Sequence, residues 1–154
     1  VFVGIESINP ESIKKTKRQN APIDKQLSSI KILEQNGISV KAMFIFGFPG
    51  DNLNNALKTI NYALTLPITY LQFSVFTPYP GTPIFSEYKN KITAQNFEQY
   101  TQWDLVFNHE NLTKFDIKYL LDKSYKSFYS SFLRILKIFY RITKIELRKK
   151  FGLF

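Results

Sequence analysis

Glycine and proline end two apolar runs of this chain, and those two stops limit what it can fold into. Met43-Phe44-Ile45-Phe46 runs into Gly47-Phe48-Pro49-Gly50-Asp51, and Leu71-Gln72-Phe73-Ser74-Val75-Phe76 runs into Thr77-Pro78-Tyr79-Pro80-Gly81-Thr82-Pro83. Runs so rich in aromatic and β-branched residues read as strands. The turns after them hold residues that no strand interior tolerates. Between the two lies a helical stretch from about Leu53 to Leu66, with Ala56, Leu57, Ile60 and Leu64 on its inner face and Pro67 as its stop. Strand, turn, helix, strand, turn is the order of an α/β unit, in which loops at the carboxyl ends of parallel strands hold ligands.

The same logic extends toward the amino terminus. Val1-Phe2-Val3-Gly4-Ile5 reads as a strand already under way, ending at Glu6. Asn9-Pro10-Glu11 supplies an N-cap, a proline at the first helical position and an early acid, so a short helix to about Lys17 should follow. A second helix is expected from Pro22-Ile23-Asp24, with Leu27, Ile30 and Leu33 on one face and Ile32 alongside, ending at Asn36-Gly37. Ile38 to Phe46 is then the next strand. A start on a buried strand, with no initiator Met and no signal-peptide pattern, makes the chain the expected carboxyl-terminal part of something longer. After Pro83 one helical turn is expected to Lys91, another over Thr93 to Gln102, and a short strand over Asp104 to Phe107. Thr113-Lys114-Phe115-Asp116 has the spacing of a capping box, and no Gly or Pro interrupts the sequence from there to Lys150. One long helix or a bent pair should follow.

Composition removes several kinds of chemistry. The 154 residues hold no cysteine, so there is no disulfide, thiolate metal site or thiol nucleophile. The single histidine, His109, lies in Asn108-His109-Glu110-Asn111 and reads as a solvated loop residue rather than a ligand or base. The net charge of +9 belongs to the tail: residues 114–154 carry eleven Lys/Arg against three Asp/Glu, which is +8. Arg134, Lys137, Arg141, Lys144 and Arg148 form one stripe of a helix, and Phe132, Ile135, Phe139 and Ile142 form another. Two readings stay open. The helix lies on an anionic membrane surface, or it packs on the body by its aromatic face with its basic face in water. No stretch has the apolar length of a spanning helix, and charge without a recognition module gives no specific nucleic-acid partner.

Taken singly, the strand-end motifs have bland readings. Glu6 and Ser7 could be a solvated acid and a turn hydroxyl, and Gly47 to Asp51 could be a βα turn with a helix cap; that turn lacks both P-loop and dinucleotide-fingerprint spacing. Thr77 to Pro83 is stiffer and projects Tyr79. Together, Gly4-Ile5-Glu6-Ser7, Ile45 to Asp51 and Pro78-Tyr79-Pro80-Gly81-Thr82-Pro83 resemble, in order and spacing, the ends of the fourth, fifth and sixth strands of the radical S-adenosylmethionine (SAM) domain. The resemblance is greatest to the group that carries an upstream cobalamin-binding domain. It covers residues 1 to about 90 well and the tail more loosely.

The resemblance implies an α/β fold, a partial TIM-like barrel over residues 1–90, followed by a helical extension over 91–154. It implies that Glu6 and Ser7 face the SAM ribose or its amino-acid end, that Gly47, Phe48 and Pro49 line the adenine pocket, and that Tyr79 closes the substrate side. Lys17 or Arg18 falls near a basic position of relatives. Asp51-Asn52 replaces the usual Thr or Glu-Thr, and the three-cysteine motif for the four-iron four-sulfur cluster is absent. The intact protein is therefore expected to cleave SAM reductively, for hydrogen abstraction or methyl transfer at an unactivated carbon of a small-molecule or lipid-like substrate, with cobalamin as an implied further cofactor. This chain alone is expected to be inactive and cytoplasmic. The competing expectation is a non-catalytic product whose basic helix contacts a membrane.

Overall fold

The computed structural model describes residues 1–15 and 22–150; Lys17 and Arg18 lie outside the described residues, as does the side chain of Arg148. Three parallel strands stand in chain order: β1 (Phe2–Glu6), β2 (Lys41–Phe46) and β3 (Tyr70–Val75). Helices α1 (Pro10–Lys15) and α2 (Ile23–Gln35) join β1 to β2, and α3 (Leu53–Thr65) joins β2 to β3. Then come α4 (Pro83–Tyr88), 3₁₀ turns at Lys89–Lys91 and Phe97–Gln99, α5 (Lys114–Tyr129) and α6 (Phe132–Lys150). The architecture is α/β around a three-stranded parallel sheet. Only the turn Phe97–Gln99 forms where a helix over Thr93 to Gln102 was expected. The strand expected at Asp104 to Phe107 reduces to one antiparallel bridge between Ile92 and Phe107.

Period-2 alternation sorts the sheet into two faces. Ala42, Phe44 and Phe46 of β2 and Leu71, Phe73 and Val75 of β3 are buried in one cluster with Ala56, Ile60 and Ala63 of α3. The Phe73 ring stacks on Phe46 at 4.4 Å and Phe44 at 5.0 Å. Lys41, Met43 and Ile45, with Tyr70, Gln72 and Ser74, are only half-buried on the opposite face. That second face is the open one, and it carries the polar residues of both strands.

The outer edge of β3 is sealed by side chains rather than by another strand. The Tyr129 hydroxyl accepts from Leu71 N–H at 3.0 Å and donates to Leu71 O at 2.9 Å. The Tyr125 hydroxyl does the same to Phe73, at 3.1 and 3.0 Å. Val75 N–H, the next outward donor, goes to Gln102 O at 2.7 Å. The match is geometric: residues two apart on a strand and four apart on a helix both span roughly 6–7 Å. Exposed strand edges invite pairing with other chains, and this one is covered. Tyr125→Phe and Tyr129→Phe should each lower the unfolding free energy by about 1–3 kcal/mol in urea titrations, since each strips two hydrogen bonds from partly buried backbone. No change in either variant would show that the edge does not need its caps.

Helix α6 sits the opposite way round from the packed reading of the sequence. Its basic stripe faces the body: Arg134 donates to Leu64 O, Lys137 to Pro67 O at 2.8 Å, and Arg141 to Glu34 O at 2.7 Å. These carbonyls lie at the carboxyl ends of α2 and α3, where unpaired C=O groups and the helix dipole favour cations. The aromatic stripe faces outward instead, with Phe132 and Phe139 at 70 and 65% exposure. The expected packing of the aromatic face is thus overturned, and the stripe that would meet anionic headgroups is turned inward.

Glu34 anchors this arrangement. Its side chain is 5% exposed and reaches both Lys137 and Arg141 at 3.1 Å. It also accepts from Val40 N–H at 3.0 Å and from the Thr69 hydroxyl at 2.8 Å. Burial pushes its carboxyl up, but the Val40 N–H, the Thr69 hydroxyl and Lys137 more than offset that and hold it below the ordinary glutamate value. A carboxyl depressed on folding gives stability that is complete above its unfolded pKa and is lost as pH falls through the lower folded value. Unfolding free energy should therefore drop with acid across that window, and Glu34→Gln should flatten that part of the profile. An unchanged profile would remove Glu34 as its source.

Candidate functional site

The carboxyl ends of the three strands converge on one end of the sheet. At the end of β1 the pairing register slips between Gly4 and Glu6, and Glu6 takes a left-handed backbone, φ 68°. Left-handed non-glycine residues store strain and are concentrated at functional sites. A Cβ on Gly4 would lie 2.7 Å from Glu6 Oε1, so the carboxylate folds back over the bare glycine. Ser7 is buried, and its hydroxyl accepts from Asn9 N–H at 3.0 Å, which closes the turn into α1. Of this pair, Glu6 is the half-exposed one.

The turn after β2 is held from three sides. Gly47 and Gly50 have φ of +80° and +84°, which excludes most side chains there. Asp51, expected as the helix cap, is buried instead; Asn52 caps α3 by accepting from Asn55 N–H at 3.0 Å. The Asp51 carboxylate turns back to accept from Phe48 N–H at 3.1 Å and from the Ser12 hydroxyl of α1. Burial pushes its carboxyl above the ordinary aspartate value, and Ser12, Phe48 N–H and Asn9 offset only part of that.

His109 is likewise not a solvated loop residue. Its Nδ1 accepts from the backbone N–H of Asn111 and Leu112 at 3.0 and 3.1 Å, so Nε2 carries the proton and donates to Phe48 O at 3.1 Å. Asn111 Nδ2 donates to Asp51 O at 3.1 Å, and Glu110 accepts from Gly50 N–H at 2.7 Å. The 109–111 loop is a strap beneath the turn. Phe48 is buried and packs on Phe76 with ring centroids 5.3 Å apart, and its N–H and C=O are both taken. A Cβ on Gly47 would point at Ile117, Leu105 and Val75 of the core. Of the expected adenine-pocket residues, Pro49 alone keeps a half-exposed side chain.

After β3, Thr82 caps α4 and Pro83 takes its first position. Tyr79 stands at 37% exposure with its ring 6.0 Å from Tyr100, which lies 6.0 Å from Phe97. Glu6, Pro49 and Tyr79 thus each lie at or just after the carboxyl end of a strand with side chains that are not buried, whereas Ser7, Gly47 and Phe48 are buried. Sequence reasoning missed Ser12, Glu110 and Asn111, which serve the turn only through the fold. A four-iron four-sulfur cluster does not fit, since the chain has no cysteine and the described residues hold no group of three His, Cys, Asp or Glu that could bind a metal. Among the described residues, no helix is long and apolar enough to cross a membrane.

No protein-family model matches the chain. It is 34% identical over 132 residues to an uncharacterized methyltransferase of Pyrococcus horikoshii, covering 84% of this chain and 28% of that protein. It is 27% identical over 110 residues to bacteriochlorophyllide d C-12(1)-methyltransferase of Chlorobaculum tepidum, covering 71% of this chain and 24% of that protein. The chain therefore spans about a quarter of the length of these curated relatives. Among solved structures, the archaeal Methanocaldococcus infernus Elp3 with an N-terminal deletion aligns at a TM-score of 0.53 and 14% identity, over 82% of this chain and 36% of that one, which is a likeness of fold. With Glu6, the Gly47–Asp51 turn and the proline-rich turn at the ends of successive parallel strands, these relatives make the chain a member of the radical SAM superfamily.

Proposed function

We propose that this chain supplies the adenosyl-holding and substrate-facing strand ends of a radical SAM methyltransferase. The observation that carries the reading is Glu6, a carboxylate on strained backbone laid over Gly4 at the carboxyl end of β1. A carboxylate so placed can accept hydrogen bonds from ribose hydroxyls or from an ammonium group. Pro49 would lie against the adenine, and Ser7, Gly47 and Phe48 would act as the rigid backing that keeps both in place. Tyr79 would close the substrate side. The cluster that cleaves SAM, and cobalamin if it carries the methyl group, would be held by residues outside this chain. Methyl transfer is favoured because the Pyrococcus and Chlorobaculum relatives are both named methyltransferases. On the competing membrane reading of the tail, Arg134, Lys137 and Arg141 are already engaged with the body, which leaves the exposed apolar stripe to make the contact.

The coding sequence upstream of Val1 should carry a Cys-x3-Cys-x2-Cys segment; a stop codon or unrelated sequence there would overturn the reading. In the protein that reading frame encodes, Gly4→Ala should weaken SAM binding about tenfold by calorimetry, the scale of losing a charged hydrogen bond. Its melting temperature should hold, because the atom displaced is the far end of a flexible side chain. Unaltered affinity would detach Glu6 from the cofactor.

A further inference from the structure

Beside the end of β3, a cavity of about 340 Å³ opens between the sheet and the proline-rich turn. Ile45 and Ser74 of the open sheet face line it, together with Tyr79, Thr82 and Ile84 after β3, and with Gln102 from the extension. Gln102 is the second non-glycine residue with positive φ among those described, at 68°. Its strained backbone is pinned: its carbonyl takes the Val75 N–H at 2.7 Å, and the adjacent turn is tied by Thr101 Oγ1 to Asp104 at 2.7 Å and by Trp103 N–H to Thr101 Oγ1 at 3.0 Å. Strain held by so many contacts fixes where a side chain goes.

The polar inventory of this cavity is narrow. No Lys, Arg, Asp or Glu lines it. The Ser74, Thr77 and Thr82 hydroxyls already donate to Phe44 O, Val75 O and Tyr79 O, at 3.3, 2.9 and 2.6 Å. The donors left for a ligand are the Tyr79 hydroxyl and the Gln102 amide, set among the apolar groups of Ile45, Val75, Phe76 and Ile84. A carboxylate or phosphate would lose its hydration there without a counter-charge, whereas a neutral carbonyl would gain a donor. Tyr100 and Phe97 continue an aromatic rim outward from Tyr79.

We infer that this cavity is a subsite for a neutral, largely apolar group bearing a hydrogen-bond acceptor, such as an aryl ketone or ester, and that Gln102 sets this preference. The inference rests on the reading of the Tyr79 side as the substrate side. The test uses the purified chain and prodan, a neutral naphthyl ketone whose emission moves to the blue when it leaves water, beside the corresponding naphthoate anion. Prodan should bind with a blue shift, and the naphthoate should bind at least tenfold more weakly. Gln102→Gly removes the side chain while suiting the left-handed backbone, so the turn is kept and circular dichroism should not change. This variant and Tyr79→Phe should each weaken prodan about three- to tenfold, the value of one hydrogen bond. Equal binding of ketone and anion, no binding of prodan, or full affinity in Gln102→Gly would each overturn the subsite. SAM calorimetry and prodan titration on the protein that the longer reading frame encodes separate the two readings. Prodan binding without SAM binding leaves the subsite standing and removes the adenosyl site, and the reverse removes the subsite alone.

Discussion

Four groups from three other parts of the chain meet on the carboxylate of Glu34, and the lower half of the structure depends on that meeting. Val40 N–H begins the approach to β2, Thr69 the approach to β3, and Lys137 and Arg141 bring in α6 from far along the sequence. A carboxylate this buried would be costly alone, so each partner is needed to make the others tolerable. The same site explains why α6 docks by its charged stripe. Helix ends α2 and α3 leave carbonyls that apolar side chains could not satisfy, and long cationic side chains reach them from a helix lying across.

The upper half is built on different terms. There the Gly47–Asp51 turn is held by short-range acceptors and by a loop strap, with Asp51 and His109 each taking two or more backbone or side-chain partners. Almost every polar group of that turn is spent on itself. Among the residues of the three motifs and the extension, the side chains of Glu6, Pro49, Tyr79 and Gln102 are not buried. In the proposed site, support and contact would then fall to different residues, with the buried turn holding the exposed side chains in place.

The alternation of Ala42, Phe44, Phe46 and of Leu71, Phe73, Val75, and the Gly/Pro stops after them, made the parallel unit readable, as did the capping box at Thr113 and Asp116. These signals are local, set by strand period and turn chemistry. Asp51 misled because an acid before a helix has the form of a cap; its partner Ser12 lies thirty-nine residues away and leaves no trace at short range. His109 misled for the same reason, since a polar tetrapeptide looks solvated until its strap contact with Phe48 is known. In α6 the two stripes were legible, but not which one faces inward. That choice goes with the Leu64, Pro67 and Glu34 carbonyls and with the Glu34 carboxylate, to which no hydrophobic pattern is sensitive.

The tyrosine pair on α5 has a consequence for self-association. Tyr125 and Tyr129 occupy the hydrogen-bonding positions along β3 that an incoming strand would use, while among the described residues β1 pairs with β2 alone. A sheet with two open edges can grow without limit into fibres. On the β3 side the two hydroxyls end the sheet, so extension from that edge would first have to displace both tyrosines.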